Sequence, residues 1–242
     1  MPAPVPVLVS WSSGKDSAWA LHTLRQQPER YDLRGIFTTV TSRFDRVSIQ
    51  ATPRPVLRVQ ASRLGLPLYE IPIPCPCSNE QYEAAMAAFL ERVRRLDEAC
   101  GARHLAFGDL FLEDIRAYRE SRLRGTGFEP LFPLFGADTA ALALQMIDSG
   151  MRAIVTVVNP RLIPASFAGR HFDRALLGDL PPGADPLGEN GEFHSCVIDG
   201  PMFSHPVRAR AGAVVEREIL ASPGEAGNQD NPTCVYADVV LE

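Results

Sequence analysis

The feature that most restricts the fold is a regular alternation, over the first half of the chain, of short apolar runs with segments of helical period. "VPVLVS" (5–10), "LRGIFTTV" (33–40), "LPLYEIPI" (66–73) and "HLAF" (104–107) read as strands. Between them, Ser17 to Gln26 places Ala18, Leu21 and Leu24 at helical spacing. A second helix is bracketed by Thr52 as N-cap, Pro53 at its first position and Gly65 as its stop. A third, "NEQYEAAMAAFLERVRRLDEAC" (79–100), opens on a Ser78/Gln81 capping box and closes at Gly101. Strands that alternate with helices in this way form a parallel sheet covered on both faces, so the expected class is α/β with a doubly wound, Rossmann-like sheet. Such sheets bind ligands at the carboxyl ends of their strands. Two loops there carry chemistry: "SSGKDS" (12–17) after the first strand and "GDLFLED" (108–114) after the fourth.

After "GFEPLFPLFG" (127–136) the texture changes. A helix ("DTAALALQMIDSG"), a strand ("RAIVTVV"), a proline- and glycine-rich stretch and late strand-like runs indicate a second, smaller α+β domain. Pro130 and Pro133 set the expected division at 1–128 and 129–242. A formal net charge of -5 argues against a duplex nucleic acid as the partner, and no run of residues is apolar enough to span a membrane. Five cysteines without framework spacing, and a start lacking a basic region and a signal-length apolar core, fit a reducing cytoplasm. Cys75 and Cys77, in "PCPCS", lack the second pair that a zinc site needs and read as small loop residues.

"SSGKDS" is the first candidate site. Of the 24 basic residues only Lys15 is a lysine, and it stands where the chain turns from strand to helix. Ser12, Ser13 and Gly14 before a helix start can present backbone N–H groups and hydroxyls to an anion, which the helix dipole also favours. The segment is no Walker loop: the first glycine is missing, and Asp16 follows Lys15 where a Ser or Thr is required. The alternative is a capped helix start, with Ser12 or Asp16 as N-cap and Lys15 in solvent.

"SSGKDS" resembles the pyrophosphate loop, Ser-Gly-Gly-x-Asp-Ser, of the N-type ATP pyrophosphatases, with Ser13 in place of the first glycine. "FGDLFLEDIRAYRE", "GFEPLFPLFG" and "GENGEFHSCVIDGP" resemble, in order, the signature segments of the diphthine–ammonia ligase family of that superfamily. The resemblance implies a HUP-like nucleotide domain of the adenine nucleotide alpha hydrolase type. It implies that Ser12, Ser13, Gly14, Lys15, Asp16 and Ser17 bind the triphosphate of ATP, joined by Gly108 and Asp109, with Asp16 and Asp109 available to Mg²⁺. Asp109 could equally cap the helix that follows it, where Glu113 and Asp114 read as first-turn carboxylates. Glu189, Asn190, Glu192 and His194 would grip the acceptor. Strand alternation sets Glu192 and His194 on one side, and Glu192 is the expected base, with Lys15 and Asp16 completing the catalytic set.

The implied reaction joins ammonia to a carboxylate. Because a carboxylate is a poor electrophile, it first attacks the α phosphorus of ATP, releasing pyrophosphate, and ammonia then displaces AMP. In the namesake family the carboxylate belongs to diphthine, a modified histidine of a translation elongation factor; a small-molecule acceptor is the other option. Two rivals stay open, adenylation of a tRNA base and a non-enzymatic nucleotide sensor, and a homodimer is compatible with all three.

Overall fold

The computed structural model describes residues 3–48, 50–96, 101–218 and 233–242. The expected class is the one observed: a mostly parallel sheet flanked by helices, followed by a smaller α+β unit. Strands β1 (Val5–Ser10), β2 (Tyr31–Thr41), β4 (Leu68–Ile73), β5 (His104–Ala106) and β6 (Glu129–Leu131) pair in parallel, in the order β4-β2-β1-β5-β6. Helices α1 (Lys15–Arg25), α2 (Arg54–Leu64), α3 (Asn79–Arg95) and α4 (Glu113–Leu123) connect them. β1 shows why its run reads as uninterrupted apolar sequence. Val7 and Val9 enter one core cluster, with Leu21 and Leu57, while Leu8 enters the other, with Phe89 and Leu123.

The capping box at Ser78 and Gln81 forms as expected, and Gly65 ends α2 in the left-handed conformation at φ 66°. The cap of α2 falls on Pro53, one residue after the expected Thr52. α3 is described to Arg95, and the expected continuation over 97–100, with Cys100, lies outside the described residues. The first sheet also continues past residue 128, where the proline punctuation suggested a division. Pro130 sits within β6, an edge strand, where a missing N–H costs no ladder bond.

One strand had no sequence signal of its own. β3 (Arg46–Val47) pairs antiparallel with Val40 and Thr41 of β2. β4 occupies one edge of β2 over the same residues, so β3 lies on the β1 edge, beyond the end of β1. It forms a short wall over the sheet's carboxyl end.

The second unit is a four-stranded antiparallel sheet, β8-β7-β10-β9, built from β7 (Arg152–Val158), β8 (Phe193–Asp199), β9 (Ala209–Glu218) and β10 (Thr233–Leu241). It packs with α5 (Thr139–Asp148) and α6 (Arg174–Asp179). The larger core cluster runs from Val9 and Leu21 through Met146 to Val155 and Val197, so the two units share an interior. No helix among the described residues is long and apolar enough to cross a membrane.

Candidate active site

β1 and β5 are adjacent, but their connections run to opposite sides of the sheet, so the loops after them diverge and leave a crevice. A cavity of about 680 Å³ fills it. Ser12, Gly14, Lys15, Asp16, Ser17, Gly108 and Asp109 form its floor, the ends of β2 and β4 with Thr38, Thr39 and Ile73 one side, and the loop before β8 its roof, while Ser13 is buried behind the floor. Val47 and Gln50, from the β3 wall, also reach it.

The loop is anchored from outside by the second sheet. The Val197 N–H donates to the Ser13 carbonyl at 2.8 Å. Gln60, fully buried on α2, donates to the carbonyls of Val197 at 2.7 Å and Ser13 at 3.3 Å, and accepts from the Trp11 indole at 3.0 Å. Gln60 escaped sequence reasoning because a polar residue in a helix reads as solvated. Within the loop, the N–H groups of Ser12, Gly14 and Lys15 donate only at 3.2 to 3.3 Å, to the hydroxyls of Ser17, Ser12 and Ser195. These lie at the long end of the hydrogen-bond range, so an incoming anion could exchange for them at little cost.

The capped-helix alternative does not hold. The N-cap of α1 is Gly14, which has no side chain of its own to cap the helix. Lys15 is not in solvent either: its side chain is 2% exposed, with Nζ 2.9 Å from Asp16 Oδ2 and 5.3 Å from the centre of the Phe193 ring. Burial raises the Asp16 pKa, and the neighbouring Lys15 opposes that rise. Asp16 Oδ1 is buried without a partner, an acceptor left available at the cavity floor.

Ser13 carries backbone strain. It holds φ 70°, the left-handed conformation that glycine adopts freely, and its fully buried hydroxyl has no hydrogen-bond partner. Ser13→Gly is therefore expected to raise stability by about 1 kcal/mol in chemical denaturation. An unchanged midpoint would mean that the hydroxyl compensates for the strain.

Gly108 lies at the cavity for a different reason from the one expected. A Cβ there would stand 2.8 Å from the Asp16 carbonyl carbon and 2.9 Å from the Ser17 nitrogen. The close approach it permits is that of the α1 start to the β5 loop, which sets Asp16 beside Asp109. Asp109 caps nothing, because the N-cap of α4 is Leu112. Its carboxylate is held by Arg119, Nε at 2.5 Å and Nη2 at 3.3 Å, and that guanidinium stacks 4.3 Å from the Phe107 ring centre. Asp109 is thus engaged, whereas Asp16 has an oxygen to offer a metal. Glu113 and Asp114 occupy the first turn of α4, as expected.

"GENGEFHS" divides its roles differently from expectation. Glu192, the expected base, is 3% exposed and does not line the cavity. Its carboxylate accepts the N–H groups of Asp185 at 2.8 Å and Asn190 at 2.9 Å, with the Asn190 amide at 3.4 Å. It is a strut that pins the 185–191 loop, and Asn190 is part of that strut rather than of the cavity wall. Glu192 precedes β8, so the alternation that paired it with His194 does not apply. The carboxylate that does reach the cavity is Glu189. Its N–H is tied at 3.3 Å to Asp185, whose other oxygen takes the Thr139 hydroxyl at 2.7 Å. Gly188, at φ 72°, permits the turn, since a Cβ there would meet the Phe193 carbonyl at 2.7 Å. Burial, with Asp16 close by, pushes the Glu189 carboxyl up to about 8. His194 also lines the cavity, and burial together with Lys15 lowers it to about 4, so its ring is neutral at pH 7.

Residues 138–219 match the family model of the diphthamide synthase C-terminal domain. This diphthamide synthase-like segment contains α5, β7, β8 and β9, and with them the 185–191 loop that roofs the cavity. The roof loop with Glu189 and the start of β8 with His194 therefore lie within the part of the chain that is similar to the diphthamide synthase C-terminal domain. No curated protein matches the chain.

Proposed function

We propose that the protein is an ATP-dependent ligase that adenylates a carboxylate, releases pyrophosphate, and passes the acyl group to ammonia. The observation that carries this reading is the start of α1 on Gly14, its N–H groups held only by long hydroxyl contacts, with buried Lys15 and the unpartnered Asp16 oxygen beside it, opening into the crevice between β1 and β5. The N–H groups of Ser12, Gly14 and Lys15 exchange their long hydroxyl contacts for phosphate oxygens, and the helix dipole favours the charge. Lys15 turns from Asp16 to the β and γ phosphates. Asp16, with its unpartnered oxygen, would then hold Mg²⁺ jointly with the nucleotide, which suits a cation that keeps few protein ligands. Bound Mg²⁺ supplies neutralisation of the phosphate charge.

The acceptor oxygen attacks the α phosphorus, the bond to the bridging oxygen breaks, and pyrophosphate leaves with that electron pair. Ammonia then adds to the carbonyl carbon of the acyl-adenylate, and AMP leaves as the excess proton passes to a base. Glu189 fits that duty, because a carboxyl near 8 is a stronger base than an ordinary carboxylate and is poised near the working pH. His194, held neutral, lines the same space without adding positive charge. No enzyme nucleophile takes part; positioning and charge stabilisation supply the rate.

The products decide the matter. Incubated with ATP, Mg²⁺, ammonium and a pool of carboxylic acids, the protein is expected to yield AMP and pyrophosphate, resolved by anion-exchange chromatography. ADP and phosphate as the main products would overturn the ligase reading, and intact ATP would make the protein a nucleotide sensor.

A further inference from the structure

Three hydroxyls accept the long N–H bonds of the 12–17 loop, and they differ in what their own protons do. Ser17 accepts from the Ser12 N–H and donates at 2.9 Å to the Gly14 carbonyl. Ser12 accepts from the Gly14 N–H and donates at 3.1 Å to Ser17. Both protons are used inside the loop. Ser195 accepts from the Lys15 N–H at 3.3 Å, and among the described residues no acceptor takes its proton. It is nevertheless 2% exposed, on β8 between the buried Phe193 and Val197 of the same strand face. A hydroxyl so buried is costly unless its donor finds a partner, and the space that Ser195 borders is the cavity. The backbone brings it there: a Cβ at Gly14 would stand 3.1 Å from the Ser195 carbonyl oxygen, so glycine is what lets β8 lie against the loop.

We infer that the Ser195 hydroxyl donates to the β and γ phosphates, so that the triphosphate is gripped from both units, by the loop N–H groups of the first and by this O–H of the second. The inference rests on the ligase reading and adds to it a binding residue on β8. When the Lys15 N–H turns to an anion, the phosphate oxygen replaces Ser195 Oγ as its acceptor and therefore comes to lie beside that hydroxyl. Ser195 loses its one bond at the same moment. Donation to the phosphate restores a bond, and a charge-assisted one is stronger than the long contact given up. The other role open to Ser195 is that of a placeholder, which occupies the Lys15 N–H and stands aside when the anion enters. The two roles differ in sign. A placeholder competes with phosphate, so its removal strengthens binding, whereas removal of a donor to phosphate weakens it.

The parent, Ser195→Ala and Ser195→Thr are to be titrated calorimetrically with inorganic pyrophosphate, ATP and AMP, each with Mg²⁺, and urea denaturation shows that each variant is folded. Ser195→Ala is expected to bind pyrophosphate and ATP about tenfold more weakly and AMP with unchanged affinity, because AMP lacks the two phosphates concerned. Threonine keeps the hydroxyl and suits a strand, so Ser195→Thr is expected to stay within about threefold of the parent. Unchanged or tighter pyrophosphate binding in Ser195→Ala would make the hydroxyl a placeholder and overturn the inference. An equal loss for AMP would overturn it as well, by moving the contact away from the β and γ phosphates, and so would a folded Ser195→Thr protein as weak as Ser195→Ala. Each of these results leaves the ligase reading standing as long as the parent binds ATP. A parent that binds neither ATP nor pyrophosphate overturns both.

Discussion

Lys15→Ala is expected to weaken binding of ATP with Mg²⁺ by roughly ten- to a hundredfold and, in the same protein, to destabilise the fold. The first effect is the loss of a charge-assisted hydrogen bond to phosphate, worth about 1.5 to 3 kcal/mol. The second follows from burial. Lys15 is 2% exposed and pairs with Asp16 at 2.9 Å, so its removal leaves a carboxylate in a desolvated floor without its cation. Breaking a buried pair in this way costs about 3 kcal/mol. A phosphate-facing lysine in solvent would show the first effect alone. Lys15→Met with Asp16→Asn separates the two, because it removes both charges and keeps the apolar stem. Stability should return to within about 1 kcal/mol of the parent, since replacing both members of a buried pair is close to neutral. Nucleotide affinity should stay low. Calorimetric titration and denaturation on the three proteins check this. Normal affinity in Lys15→Ala would reduce the loop to a helix start, and a double variant as unstable as the single one would show that the ion pair is not what the fold depends on.

The loop was legible because its signal is local: a strand, small residues, the only lysine and a helix fall within one short stretch. The sheet was legible for a similar reason, since each strand and helix announces itself by period. What escaped depends on contacts across the chain. Gln60 holds the loop to β8 from 47 positions away, and nothing in its own neighbourhood marks it. β3 is two residues long, too short for any periodicity, yet it walls the cavity. Gly108 was expected to join the residues that bind the triphosphate, but the sequence could not tell that the backbone packed against it is the protein's own. The cleft between α3 and α4 was invisible altogether, because the faces of α3 and α4 that line it look like ordinary amphipathic surface.

The two glutamates of "GENGEFHS" show the same limit most sharply, since composition gives no reason to prefer one over the other. Glu189→Gln is expected to leave ATP affinity nearly unchanged and to slow amide formation by about 10², the usual worth of a positioned base. It also carries a signature in stability. The folded carboxyl sits near 8 against an ordinary value of 4.5, so between those limits the folded state binds more protons than the unfolded one. Parent stability therefore falls as pH rises through that window, by an amount on the order of a few kcal/mol. Glutamine does not titrate. Parent and variant should match near pH 4.5, and the variant should be the more stable at pH 9. Glu192→Gln should behave in the opposite manner. Its carboxylate accepts from the N–H groups of both Asp185 and Asn190, and an amide would set an NH₂ against one of these donors. A buried donor left unsatisfied costs about 1 to 3 kcal/mol at either pH. Urea denaturation at pH 6 and pH 9, with single-turnover amide formation, distinguishes the two. A stability difference for Glu189→Gln that ignores pH would mean that this carboxyl is not held protonated. A Glu192→Gln protein with parent stability but slowed chemistry would make the strut the base after all, because a group that only pins the loop cannot be replaced without loss of stability.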